Sequence, residues 1–374
     1  MRIMVVSHSS VVGTYRGKLR EWVEQSDVDV DLVVPPAWPE NNQWVTAEAE
    51  ASSPYRFTIV PAYRLGRVAS YFFHPLVFLK TVRHVRPDIV YAEEEPWSLA
   101  AWQSMHAARS VNARFMFFTW ENLLRRYKWV SRKILRSVMD GANAAVAGNS
   151  DAVRVLTGRG FAKPIKHLPQ YGIDLSDSNG KASVPIAGIE RLPRPRIAFV
   201  GRLEKEKGVH VLLRAAAGLK GQWSLIILGN GEERNPLYMS VREIGIEDRV
   251  VFLDGIPHRD VPGVMAGVDI LVLPSITTDT WKEQFGRVLV EGMAAGVSVV
   301  GSDSGAIPEV VDDAGIVFPE GDSSALRTVL QRLIDSDETR RSYSLRGKVR
   351  AEQYGNRRIA GEYYSFFRQV AGER

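Results

Sequence analysis

Two glutamates, Glu283 and Glu291, stand in the stretch WKEQFGRVLVEGMAAG (281–296), one ahead of a run that reads as a buried helix and one inside it. The spacing predicts a helix start near Phe285–Gly286, after the polar loop SITTDTWKEQ. The first amides of a helix have no intrahelical partner, so those of Phe285, Gly286 and Arg287 suit an anion. Glu283 precedes them and reaches past such an anion towards whatever it is attached to. Glu291 lies about one and a half turns in. A carboxylate in an apolar helix needs a hydrogen-bonding partner if buried. Vicinal ribose hydroxyls are one such partner; a neighbouring arginine is the other.

A second loop has complementary chemistry. In FVGRLEKEKGVHVLLRAAAGL (199–219) a strand ends at Gly201 and a helix begins near Gly208, with Arg202 and Lys207 flanking the turn. Two cations beside a helix N-terminus fit a phosphate or diphosphate. The alternative is two ordinary surface residues. The loop is neither G-x-x-x-x-G-K-[ST] nor G-x-G-x-x-G.

The elements that must position these groups are legible as short apolar runs. RIMVVS (2–7), VDLVV (30–34), DIVYA (88–92), RFMFFT (114–119) and AAVAG (144–148) read as strands in the first half. RIAFVG (196–201), SLIILG (224–229), VVFLDG (250–255), VDILVLP (268–274) and VSVVGS (297–302) do so in the second. Near-continuous apolar strands alternating with helices mean parallel sheets covered on both faces. The expected fold is α/β, two doubly wound Rossmann-like domains facing each other across a cleft, with ligands at the carboxyl ends of the strands. Residues 1–177 form the first domain, 178–195 a linker rich in Ser, Gly and Pro, and 196–355 the second. The tail, 356–374, is a helix whose stripe Tyr363, Tyr364, Phe366 and Phe367 packs back toward the first domain.

Composition narrows the function classes. The chain has 374 residues, enough for two cores, and no Cys, which excludes disulfides, thiolate metal sites and Cys nucleophiles. No run reaches the length of a membrane span and no leader is read at MRIMVVS, so the expected location is cytoplasmic. The net charge of +5 lies in the first half, where residues 1–190 hold 23 Lys+Arg against 18 Asp+Glu. It concentrates in LLRRYKWVSRKILR (123–136), with six basic and no acidic residues. Read as a basic amphipathic helix over 123–139, this segment suits an anionic membrane on its inner face; the other reading is a solvated helix face. No nucleic-acid partner is expected.

Taken together, GRLEKEKG, LGNGEE, LVLPS, EQFGRVLVEGMAAGVSVVGSDSGAIPEVV and DDAGIVF resemble the C-terminal domain of the retaining glycosyltransferases of family 4, which have the GT-B fold. The resemblance covers about 170 residues with the motifs in order. It implies that Arg202 and Lys207 contact a donor diphosphate, and that Glu283 and Glu291 are the family's E-x7-E pair. The first would touch the transferred sugar and the second the nucleotide ribose. The implied donor-binding set is Gly13, Arg202, Lys207, Glu283, Gln284, Phe285, Gly286, Arg287 and Glu291. No cofactor and no metal are implied, and the leaving phosphate itself would deprotonate the acceptor.

The first half departs from the family pattern. PQYGID (169–174) has Tyr171 where an Asn is common, and SHSSVVGTYRG (7–17) offers Gly13 where a Gly-Gly pair is usual. The family's His after the fourth strand is replaced by Trp120, Glu121 and Asn122. Either His8 or Glu121 then serves as the polar group near the reacting carbon, unless Trp120 is core and Glu121 a helix cap. AEEEPWS (92–98) reads as a solvated loop, or as acceptor-binding carboxylates. The expected function is hexosyl transfer from a nucleoside diphosphate sugar to a sugar or lipid-linked acceptor, in cell-surface polysaccharide or glycolipid synthesis. The rivals are a GT-B-like sugar-nucleotide epimerase and a catalytically silent nucleotide-sugar-binding module.

Overall fold

A computed structural model describes residues 1–40, 43–50, 53–175 and 189–372. The chain forms two compact units, one of residues 1–172 with 356–374 and one of residues 173–355. The part of the expected linker within 176–188 lies outside the described residues. After it, Ile189–Arg191 makes a short 3-10 turn and Ile189 is buried in the second core.

In the first unit the strands are β1 (Arg2–Val6), β2 (Asp29–Val34), β3 (Ala37–Glu40), β4 (Gln43–Thr46), β5 (Arg56–Ile59), β6 (Ala62–Tyr63), β7 (Phe72–Phe73), β8 (Ile89–Ala92), β9 (Arg114–Thr119), β10 (Ala144–Ala147) and β11 (Ile165–His167). Seven of them form a sheet in the order β11-β10-β9-β8-β1-β2-β5, with every neighbouring pair parallel. The helices are α1 (Gly17–Gln25), α2 (Pro75–Val85), α3 (Leu99–Arg109), α4 (Trp129–Gly141) and α5 (Ser150–Gly158). The central strands are buried along their whole length, as the unbroken apolar runs require.

The second unit has β12 (Arg196–Val200), β13 (Ser224–Leu228), β14 (Val250–Leu253), β15 (Ile270–Leu273), β16 (Ser298–Ser302) and β17 (Ile316–Phe318). They too are parallel, in the order β14-β13-β12-β15-β16-β17. Its helices are α6 (Val209–Ala216), α7 (Arg234–Ile244), α8 (Val261–Met265), α9 (Arg287–Ala294), α10 (Ile307–Val311), α11 (Ser323–Asp335) and α12 (Asp337–Ala351). In both sheets the order reverses beside the first strand of the unit, and such a switch point opens a crevice at the strand ends.

The last helix, α13 (Asn356–Ala371), belongs to the first unit. Its Tyr363, Phe366 and Phe367 enter that core. Trp22 Nε1 of α1 donates to Ala360 O at 3.0 Å, and the Tyr91 hydroxyl donates to that of Tyr363 at 3.1 Å.

The structure corrects two readings here. The basic segment is not one helix over 123–139: α4 begins at Trp129, and residues 123–128 are irregular. Tyr127 is tethered instead, its hydroxyl donating to Glu121 at 2.7 Å. Strands β5, β11 and β17 and the antiparallel pairs β3–β4 and β6–β7 also join the expected ones. Among the described residues no helix is long and apolar enough to cross a membrane.

Candidate active site

In the second unit the chemistry gathers at the carboxyl ends of β12 and β15. After β12 the chain passes Arg202 and a 3-10 turn over Lys205–Lys207, then enters α6 through Gly208. Gly208 has φ +68°, and a Cβ there would lie 1.8 Å from Pro274 O. Only glycine permits so close an approach of the α6 entry to the end of β15. That approach lets Lys207 Nζ donate to Glu283 Oε2 at 2.7 Å, while Ser275 Oγ donates to the same oxygen at 2.8 Å.

Glu283 is buried, at 7% exposure. Burial alone would raise its pKa, but the Lys207 charge and the hydrogen bonds from Lys207, Ser275 and the Gln284 amide outweigh it. The carboxyl is therefore held below its ordinary value and is ionised at neutral pH. Its main chain is fixed too: Ala306 N donates to Glu283 O at 3.0 Å, and a Cβ on Gly305 (φ +55°) would lie 2.0 Å from that oxygen. Trp281 completes the cluster, with Lys207 Nζ 4.8 Å from its ring centroid.

Helix α9 starts at Arg287, with Gly286 as its N-cap at φ +74° and no side-chain cap. This corrects the expected start: Phe285 lies ahead of the helix and Gly286 is its cap. The positive φ at Gly286 holds back the helical turn. The N-terminus is still open to an anion, and Glu283 still precedes it. Glu291, one turn in, accepts from Arg287 Nε at 2.8 Å and shares a 2.8 Å hydrogen bond with His258 Nε2. Burial opposes its ionisation, but His258 and Arg287 prevail and its pKa is lowered. The arginine partner anticipated from sequence is therefore present, together with a histidine that was not. Arg202, half-exposed, pairs with Glu204.

In the first unit the three carboxylates of AEEEPWS are not a solvated loop. They follow the central strand β8 and each is claimed by a neighbour. Glu93 pairs with the buried Lys18, which also donates to Gln170 O. Glu94 accepts from His8 N at 2.8 Å, is hydrogen-bonded to His8 Nδ1 at 2.8 Å and accepts from the Tyr71 hydroxyl. Glu95 accepts from Thr119 Oγ1 at 2.6 Å and Trp120 N at 2.8 Å, yet burial pushes its carboxyl up to about 7.

His8 follows β1, its ring 4.3 Å from that of Trp38. Burial would lower its pKa, but Glu94 turns the net shift upward. Glu121 does not cap a helix: Arg159 Nη2 and the Tyr127 hydroxyl donate to its Oε1 at 2.6 and 2.7 Å. Trp120 packs over Gly148, where a Cβ would lie 2.1 Å from its ring, and its Nε1 donates to Gln170 at 2.8 Å. Gly13 lies in a 3-10 turn with ordinary space around it, a Cβ there meeting Glu50 Oε1 at 3.6 Å.

Within each unit the structure thus brings together Lys207 with Glu283, and His8 with Glu94. Sequence reasoning missed Ser275, Trp281, His258 and Tyr71, and it marked Glu94 only as one of the AEEEPWS carboxylates. Ser275 and Glu94 carried a readable signal, since each stands one or two residues past a predicted strand.

Comparison with known proteins adds the following. Residues 188–350 match the model of the family described as glycosyl transferases group 1. D-inositol 3-phosphate glycosyltransferase of Corynebacterium kroppenstedtii is 36% identical over 156 residues, 38% of this chain and 34% of that protein. The chain spans about a third to a half of the length of the first curated relatives it matches. Sucrose-phosphate synthase from Thermosynechococcus elongatus superposes over 100% of this chain and 99% of its own with a TM-score of 0.74, at 19% identity. Anabaena HepE, solved in complex with UDP and glucose, does so over 99% and 100% with a TM-score of 0.72, also at 19% identity. These likenesses show the fold, which is GT-B.

Proposed function

We propose that this chain, whose residues 188–350 match the model of the glycosyl transferases group 1 family, is a retaining, metal-independent hexosyltransferase. It moves a sugar from a nucleoside diphosphate donor to a hydroxyl of a sugar or lipid-linked acceptor in polysaccharide or glycolipid synthesis. The observation that carries this reading is the Lys207–Glu283 pair at 2.7 Å, its carboxylate buried, beside the uncapped start of α9.

In this reading the diphosphate lies on the α9 N-terminus. Lys207 and Arg202 stabilise the charge that develops on it as the sugar bond breaks. Each well-placed donor of this kind lowers the barrier by about 3 kcal/mol. An ammonium has three N–H groups, so Lys207 can keep its bond to Glu283 while donating to phosphate. Glu283, already ionised, accepts from hydroxyls of the transferred sugar. Glu291 exchanges part of its His258 and Arg287 bonding for the ribose. The cations do the work a metal would otherwise do, and the departing phosphate oxygen takes the acceptor proton. In the first unit this reading favours His8 over Glu121, because Glu94 fixes the His8 ring through Nδ1 while Oε1 of Glu121 is held by Arg159 and Tyr127.

The test is turnover of UDP-, GDP- and ADP-sugars with and without hydroxyl acceptors, starting from UDP-glucose because HepE, similar in fold, has been solved in complex with it. Nucleoside diphosphate should appear only when an acceptor is present, and the product should keep the donor's anomeric configuration by NMR. An inverted product contradicts the retaining assignment. Conversion of the nucleotide sugar without acceptor supports an epimerase. Binding without turnover across the panel supports a silent binding module.

A further inference from the structure

The first unit carries a cavity of about 470 Å3 between α4 and the segment that follows α5, and the donor-site reading does not use it. Arg132, Arg136, Arg159 and Lys163 line it, with Asp140 as the one acidic residue among the lining. The four cations are not equivalent. Lys163 donates to the carbonyls of Met139 and Asp140 at 3.1 and 2.7 Å and closes the last turn of α4. Arg159 gives Nη2 to Glu121 and Arg125 O, while its Nε is buried without a hydrogen-bond partner. Such an orphaned donor is rare in native proteins. Arg132 and Arg136, one turn apart, are exposed and make no ion pair among the described residues. The cavity is therefore a concave site with two uncommitted guanidinium groups and a third that is only partly satisfied. An anion that accepts several hydrogen bonds, such as phosphate, is its chemical complement.

The surroundings decide which phosphate. Leu124, Trp129 and Val130 are 69%, 62% and 47% exposed. Arg125, Arg126, Lys128 and Lys133 are exposed around them. On α4, Trp129, Arg132, Lys133 and Arg136 share one face by spacing, while Val138 is buried opposite them and the buried Leu135 and Met139 line the cavity beside Arg132 and Arg136. A soluble polyanion would use the cations and leave three large apolar side chains in water. An anionic bilayer uses both, because Trp partitions to the membrane–water interface and basic residues are drawn to acidic headgroups. We propose that this face of the first unit docks on an anionic membrane and that the cavity seats the phosphate of one lipid headgroup between Arg132 and Arg136. The inference does not rest on the donor-site reading, and none of the cavity residues belongs to that site.

The test is flotation of the full chain with phosphatidylcholine vesicles with and without phosphatidylglycerol, at low and high salt. Binding to the anionic vesicles alone, fading with salt, is expected. No binding to them at low salt overturns the proposal. The pair Arg132→Gln, Arg136→Gln is then compared with Arg126→Gln, Lys128→Gln, which removes equal charge outside the cavity. The first pair should lower vesicle affinity about thirtyfold or more, and the second by clearly less. Equal losses would mean diffuse attraction and would overturn the headgroup site. Trp129→Ala should weaken binding at every salt concentration. If glycerol 1-phosphate alone occupies the cavity as tightly as vesicles bind, the ligand is a soluble phosphate and the membrane assignment is wrong. All five positions are exposed, so the variants should keep the wild-type fold by circular dichroism.

Discussion

At the scale of single residues, the two units use buried carboxylates in opposite ways. Glu283 has a lowered pKa. Its contribution to stability is present above the ordinary value near 4.5 and is lost as pH falls through the lower folded value. Glu95 is raised to about 7. Between about 4.5 and about 7 the folded protein holds a proton there that the unfolded chain has released, so stability falls as pH rises across that window. Glu95→Gln should remove this loss, so its melting temperature should decline less than wild type between pH 5 and pH 8. Parallel melting curves against pH would show that Glu95 does not titrate there. His8→Ala should depress turnover while leaving nucleoside diphosphate affinity unchanged; equal turnover in the variant would remove His8 from the reaction. Of the two sequence readings of AEEEPWS, the solvated loop fails, and it was plausible only because three adjacent acids look solvated. Their place after the central strand puts β1, α1 and β9 within reach, so His8, Lys18 and Thr119 each take one. That pairing depends on strand order, which local spacing does not reveal.

At the scale of elements, the central strands were legible because both of their faces are buried and the apolar runs are unbroken. The edge strands β5 (RFTI), β11 (IKH) and β17 (IVF) were not, because they are short and partly exposed. The start of α4 was also hidden, since basic residues recur from Arg125 to Arg136 with no acidic one among them and do not register that Tyr127 is tied to Glu121. In the second unit the loop–helix junction at Gly208 sets the Lys207–Glu283 pair of the proposed donor site. Gly208→Ala must place a Cβ 1.8 Å from Pro274 O in a left-handed conformation. The expected cost is about 1–3 kcal/mol of stability, with weaker nucleoside diphosphate binding because Lys207 moves with the turn. Chemical denaturation and calorimetry on the same variant check both effects. Unchanged stability would mean that the turn adapts without strain.

At the scale of the whole molecule, the chain finishes the first unit last: α13 follows the entire second unit yet supplies Tyr363, Phe366 and Phe367 to the first core. Phe367 is fully buried against Trp22 and Tyr91, with ring centroids at 5.2 and 5.4 Å. Phe367→Ala should destabilise the first unit by about 3–5 kcal/mol and leave nucleotide affinity intact. A matching loss of nucleotide binding would contradict the assignment of the diphosphate- and ribose-binding groups to the second unit.

The central claim is the division of labour between the two glutamates, and calorimetric titration of one nucleoside diphosphate into four proteins tests it most directly. Against wild type, Lys207→Ala should lose affinity by about 1.5–3 kcal/mol, and Glu291→Ala should also bind more weakly. Glu283→Ala should bind the bare nucleotide nearly as wild type does while transferring sugar poorly. Equal losses of bare-nucleotide affinity in the two glutamate variants, or unchanged affinity in Lys207→Ala, would contradict the account.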